Sequence, residues 1–307
     1  MARRKKGDPV HGWVVVDKPS GPTSSDVVNK VRRLFNAQKA GHAGTLDPLA
    51  TGVLPVALGE ATKTVPFVMD ASKGYRFTIR LGQTTTTGDA EGEVTAESPH
   101  RPSDEEINAA LPRFRGEIMQ VPPAFSAIKV AGERAYALAR AGEEVKLEPR
   151  PVTIHEIRLV SRPDADHAEL EISCSKGTYV RSLGYDLARA LGTEGHVSAL
   201  RRTRHGPFRE EAAIPLDKLS ALGHIAPAPG PGSHLLPLET ALDDIPALAV
   251  SGDDAARLRK GQGVLLRGRD APILSGTVLA THRGDPVALT EYGQGELRPV
   301  RVFNLVS

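Results

Sequence analysis

Pro227, Pro229, Gly230, Pro231, Gly232 and Pro237 crowd the stretch from Leu222 to Pro237, which holds no charged residue apart from His224 and His234. Proline lacks the amide hydrogen that helices and sheets use, and glycine adds backbone entropy, so no regular element runs through such a stretch. It reads as a linker or long surface loop. The 307-residue chain is thereby divided into a body over residues 12–221, preceded by a basic arm at 1–11, and a tail over 238–307. Each side then needs apolar surface of its own to bury.

Both sides have it. In the body, Trp13 to Val16 reads as a buried strand, and Ser24-Ser25-Asp26 offers an N-cap for a helix carrying Val27, Val28, Val31, Leu34 and Phe35 at helical spacing. Tyr75, Phe77, Ile79 and Leu81 alternate with Arg76, Thr78 and Arg80, the pattern of a half-exposed strand. Leu170, Ile172 and Cys174 repeat it before Val180, Leu183, Leu187 and Leu191 return to helical spacing. Strands and helices mix without regular βαβ spacing, which favours an α+β fold around a mixed, largely antiparallel sheet with flanking helices. Short apolar runs at Val264–Leu266, Ile273–Leu274, Val278–Ala280, Val287–Leu289 and Val300–Phe303 make the tail a small β-rich barrel or sandwich.

Composition narrows the chemistry. With 40% hydrophobic and 25% charged residues the chain is of ordinary globular type. The lone Cys174 excludes an intramolecular disulfide framework and any multi-cysteine metal site, and suits a reducing cytosol. Arg3, Arg4, Lys5 and Lys6 precede an apolar run far too short for a signal peptide, and no segment approaches the roughly 18 apolar residues of a membrane span. A cytoplasmic location is expected. No phosphate-loop or dinucleotide motif is present, and the histidines lack metal-ligand spacing, so neither cofactor nor metal is expected.

The densest local signal is Gly41-His42-Ala43-Gly44-Thr45-Leu46-Asp47-Pro48-Leu49-Ala50-Thr51-Gly52, whose glycines permit sharp turns and close approach by another molecule. Asp47 at its centre is either the N-cap of a short helix with proline at its first position, or a lone functional carboxylate. Charge context bears on that choice. Between Asp26 and Asp47 no acid occurs while Lys30, Arg32, Arg33 and Lys39 do, and Arg201, Arg202 and Arg204 lie in a second acid-free run from Ser198 to Phe208. Two basic stretches are the footprint of a polyanion, although such runs also form plain solvated faces. Arg181 falls in the first turn of the helix expected from Val180, where the macrodipole disfavours a cation by up to about 1 kcal/mol, so it needs an anionic partner. Asp47 or a phosphate would serve.

Asp17-Lys18-Pro19-Ser20-Gly21, the Gly41–Gly52 segment, Gly59-Glu60-Ala61-Thr62-Lys63 and Ser175-Lys176-Gly177-Thr178-Tyr179-Val180-Arg181 together closely resemble, in order, the motifs of the TruB family, the tRNA pseudouridine synthases acting on uridine 55 of the T-loop. The resemblance spans about Gly12 to Arg209 and implies the pseudouridine synthase fold. It implies Asp47 as the catalytic aspartate, with His42, Tyr75, Tyr179 and Leu200 lining the pocket of a flipped uridine, and Lys18, Lys63 and Arg181 as its charged surroundings. Residues from about 125 to 152 resemble the family's mobile RNA-gripping insertion, with Lys129 near its start, and the tail is similar to an RNA-binding module of PUA type. The implied partner is the tRNA T-loop; no obligate protein partner is expected, and a monomer is assumed. The implied reaction breaks the N1–C1′ bond, rotates the uracil and joins C5 to C1′, which needs no cofactor. Whether Asp47 attacks sugar or base or takes a sugar proton stays open. This chain departs from the family in carrying Thr84-Thr85-Thr86-Thr87 ahead of Gly88-Asp89, which puts the hydrogen bonding around Asp89 in question. A tRNA-binding or folding-assistance protein without essential catalysis, and a glycoside hydrolase using Asp47 and Asp89 as an acid–base pair, are the alternatives.

Overall fold

Alternation along Lys73–Leu81 buries Tyr75, Phe77, Ile79 and Leu81 on one face and leaves Arg76 exposed on the other. In the computed structural model this strand lies inside a sheet, antiparallel to Gly195–His205 on one side and His167–Cys174 on the other. The structure describes residues 7–126, 128–130, 132–141, 143, 145–224, 234–266 and 275–305, and for residues 129, 134, 137, 139 and 140 the backbone alone. Across the sheet the order is Ile214–Pro215, Gly12–Lys18, Thr51–Leu58, Gly195–His205, Lys73–Leu81, His167–Cys174, Arg150–Asp164 and Gly116–Gln120, with Ala40–His42 and Phe208–Arg209 as short side strands. Among the described residues only two of its pairings are parallel, Gly12–Lys18 with Ile214–Pro215 and Thr51–Leu58 with Gly195–His205. The mixed, largely antiparallel α+β expectation is met.

Two helices share the core with that sheet. Ser24–Leu34 contributes Val27 and Val31, and Val180–Ala190 contributes Val180, Leu183 and Leu187. The second lies so close that a Cβ on Gly184 would stand 2.9 Å from a Val197 methyl. The first helix is capped one residue earlier than its sequence suggests. Thr23 is the N-cap, and its hydroxyl and the Asp26 carboxylate form a reciprocal capping box. Ser24 is thereby released for another task.

In the tail, Ala247–Ala249, Gly276–His282, Asp285–Gly293, Glu296–Val302 and Val264–Leu265 form one five-stranded sheet, against which the helix Gly252–Arg259 packs Ala255 and Leu258. Among the described residues the tail is a single sheet with a helix, which meets the β-rich expectation. Ile273 and Leu274 fall outside the described residues, as do residues 1–6 of the arm and 225–233 of the proline- and glycine-rich stretch. The far end of that stretch is an integral part of the body: Leu235 is buried, and Leu236 exchanges two backbone hydrogen bonds with Trp13 at 2.8 and 2.7 Å. Trp13 also meets Phe208, ring centroids 5.1 Å apart, in an apolar cluster that takes in Leu279, Leu289 and Phe303 of the tail.

Candidate active site

The Gly41–Gly52 segment leaves the sheet after His42, runs as irregular backbone and re-enters at Thr51. No helix follows Pro48, so Asp47 caps nothing; the Ala50 N–H donates to the Asp47 carbonyl at 3.1 Å to close a turn. The loop is tied down from below. The buried Ser24 hydroxyl donates to the Leu46 carbonyl at 3.0 Å and accepts from the Leu46 N–H at 2.8 Å, fixing the residue before Asp47. Lys18, also buried, donates to the carbonyls of Pro19, Pro48 and Ala50 at 2.9, 3.0 and 2.7 Å.

Arg181 supplies the anionic pairing that its first-turn position demands. One terminal nitrogen lies 3.1 Å from Asp47 Oδ2 and donates to the Phe125 carbonyl at 2.8 Å; the other lies 3.6 Å from Asp89 Oδ2 and donates to the Thr87 carbonyl at 3.0 Å. Its side chain is 7% exposed and that of Asp89 6%, whereas that of Asp47 is 39% exposed. Of two carboxylates on one buried cation, therefore, only Asp47 opens to solvent. Asp89 is also held by the Thr87 hydroxyl at 2.5 Å and the Glu91 N–H at 3.1 Å, while Thr85 donates to its carbonyl at 2.6 Å. The threonine run thus supplies the hydrogen bonds that its departure from the family pattern put in question. A carboxylate so covered is a poor second acid or base for hydrolysis.

Both tyrosines named from sequence feel the Asp47 charge. Tyr179 is the residue before the helix Val180–Ala190, and Gln120 brackets its backbone, donating to the Tyr179 carbonyl at 3.0 Å and accepting from its N–H at 2.7 Å. Nothing in the pattern around Gln120 signals that role. Burial raises the pKa of both Tyr75 and Tyr179 above the ordinary phenol value. At 8% exposure Tyr75 is chiefly a core residue, and Leu200 is half-buried against the same core. Burial and the neighbouring Arg202 charge push the His42 imidazole below its usual pKa, so it is neutral at physiological pH.

A model described as the N-terminal domain of TruB family pseudouridylate synthase matches residues 32–180, and one described as the C-terminal domain of tRNA pseudouridylate synthase B matches 181–243. A curated protein of Bradyrhizobium diazoefficiens named tRNA pseudouridine synthase B is 62% identical over 99% of this chain and 89% of its own. The chain belongs to the TruB family. A Caulobacter vibrioides relative with the same name is 57% identical, over 99% of this chain and the whole of its own. Among solved structures, a chain from an H/ACA RNP bound to a substrate RNA containing 2′-deoxyuridine superposes with a TM-score of 0.70 at 25% identity, covering 99% of this chain and 92% of that one. The pseudouridine synthase fold follows for the chain.

Several residues named from sequence are engaged by other groups of the protein. Lys63 donates to Glu60 at 2.6 Å and to the Val302 carbonyl of the tail at 2.7 Å, while Glu60 accepts from the Asn304 N–H. Its motif is a clamp between tail and body. The second basic run is not acid-free in space, because neighbouring elements bring carboxylates to it: Arg201 pairs with both Asp17 oxygens at 3.0 Å and with Glu210 at 2.9 Å. Arg204 donates to the hydroxyls of Ser72 and Ser173, and Arg202 is 1% exposed, too deeply buried for a phosphate contact. Lys30, Arg32, Arg33 and Lys39 are exposed as an RNA-facing set requires, and the side chain of Lys129 lies outside the described residues.

Lys18 gives the site a pH signature. Burial lowers its pKa to about 8, against the pull of Asp47. The folded value lies below the ordinary lysine value, so the buried cation costs stability at neutral pH, and that cost is relieved as pH rises through about 8 toward the unfolded value. Activity runs the other way. Loss of the proton removes a charge beside Asp47 and one of the three N–H donors of Lys18, two of which hold the loop, so the turnover rate on saturating RNA is expected to fall as pH rises through about 8. Lys18→Met should be slower than the parent and lack that alkaline limb.

Proposed function

We propose that the chain converts uridine 55 in the T-loop of tRNA to pseudouridine, without a cofactor, using Asp47 as the acting carboxylate. The observation that carries this reading is the asymmetry at Arg181: one cation holds two carboxylates, and the single solvent-open one sits on the glycine-rich TruB loop. Its chemistry needs one oriented carboxylate and a pocket that retains the freed uracil. Tyr75, Tyr179, Leu200 and His42 are the residues assigned to that pocket, a reading supported by the electrostatic coupling of Tyr75 and Tyr179 to Asp47. Bringing the uridine to a recessed carboxylate costs a few kcal/mol of unstacking, less in a loop than in a duplex. The names of the close relatives support tRNA as substrate.

Incubation of the purified chain with unmodified tRNA tests this. Pseudouridine at position 55 with no free uracil is expected; release of uracil would indicate a hydrolase, and tight binding without conversion a folding-assistance protein. The helix Ser24–Leu34 and the segment after it offer the phosphate contacts through Lys30, Arg32, Arg33 and Lys39. Affinity should accordingly fall steeply with salt, and Lys30→Ala should reduce the slope of log affinity against log salt by about 1. A slope unchanged by Lys30→Ala and by the same change at Arg32, Arg33 and Lys39 would move the RNA to another face.

A further inference from the structure

Arg202 was expected among the RNA-contacting residues, and its burial leaves it without that role. A guanidinium removed from water costs several kcal/mol unless hydrogen bonds and charge compensate it. Here compensation comes from carbonyls. Nε donates to Val53 at 2.7 Å, one terminal nitrogen to Gly44 at 3.1 Å and the other toward Thr45 at 3.5 Å. Val53 is the third residue of the strand Thr51–Leu58 that follows the Asp47 loop, and Gly44 and Thr45 lie within that loop.

Tyr75 and Arg202 are direct cross-strand partners, so their side chains share one face of the sheet, and the guanidinium charge offsets part of the effect of burial on the phenol. The loop rests directly on this arrangement. Gly44 has φ +79°, and a Cβ there would stand 2.7 Å from the buried His205 ring and 3.5 Å from an Arg202 terminal nitrogen. No side chain fits between loop and guanidinium.

We propose that Arg202 is a positioning residue of the reaction: its planar fork sets the Asp47 loop and the Tyr75 hydroxyl at a fixed relation to each other across the pocket. A lysine keeps the charge but has no fixed fork with which to hold both sides at once. This inference rests on pseudouridine formation at Asp47.

The test is single-turnover pseudouridine formation on T-loop RNA by the parent chain, Arg202→Lys, Tyr75→Phe and the double variant, with RNA affinity measured alongside. Arg202→Lys is expected to slow the chemical step by about 10²-fold, the scale of a misplaced catalytic group, while RNA affinity changes by less than about threefold. Because Arg202 acts partly through the Tyr75 hydroxyl, the double variant should lose less than the product of the two single losses. A parental rate in Arg202→Lys, a loss confined to affinity, or fully multiplicative losses would each overturn the proposal. Should Arg202→Lys fail to fold, Gly44→Ala lifts the loop from an intact guanidinium and is expected to show the same slowed rate at unchanged affinity; a parental rate there overturns it equally. If the parent chain itself makes no pseudouridine, it is the functional reading that fails.

Discussion

Asp47→Asn is expected to lower pseudouridine formation by about 10²-fold or more while T-loop RNA binding and folding stay close to those of the parent. Asparagine keeps the size of the side chain and one oxygen to accept from Arg181, so the loop's anchors at Ser24 and Lys18 are untouched. Stability should change by less than about 1 kcal/mol, since Asp47 is partly solvated and Arg181 retains Asp89 as its counterion. Only the charge that attacks or takes a proton is lost. A single-turnover assay with a melting curve on the same sample separates the two readouts, and a parental rate would remove Asp47 from the mechanism.

Arg181→Met should do what Asp47→Asn does not and damage both fold and function. It strands Asp89, buried with only hydroxyl and amide partners besides Arg181, and removing one partner of a buried pair costs about 3–5 kcal/mol. It also frees the Phe125 carbonyl at the start of the insertion and leaves Asp47 unoriented. Arg181→Met combined with Asp89→Asn separates these effects: denaturant midpoints should recover much of the lost stability, while the rate stays low because Asp47 still lacks its partner. Recovery of the rate together with stability would mean that Arg181 serves the fold alone.

The parts of this site that could be read from the sequence are those set by local patterns. Period-two alternation located the strand that carries Tyr75, and helical spacing located the helix beginning at Val180. Arg181 could be seen to need an anion because its first-turn position carries a local electrostatic penalty. Charge runs misled for the opposite reason. A run is counted along the chain, but Gly195–His205 is a strand whose successive side chains point to opposite faces, so Arg201 lies among carboxylates and Arg202 lies in the core. The register shift between Arg202 and Arg204 breaks even that alternation. Lys63 shows a second limit, because its partner Val302 lies 239 positions away and no local signal reports it. Ser24 was legible as a residue of the helix start, but its bond to Leu46 depends on how the loop folds back over that helix.

The most direct test of the central claim is pseudouridine mapping in total tRNA from cells that carry the chain, lack it, or carry only Asp47→Asn. The prediction is that the signal at position 55 is present in the first, absent in the second, and not restored in the third. An undiminished signal at position 55 in cells lacking the chain would contradict it.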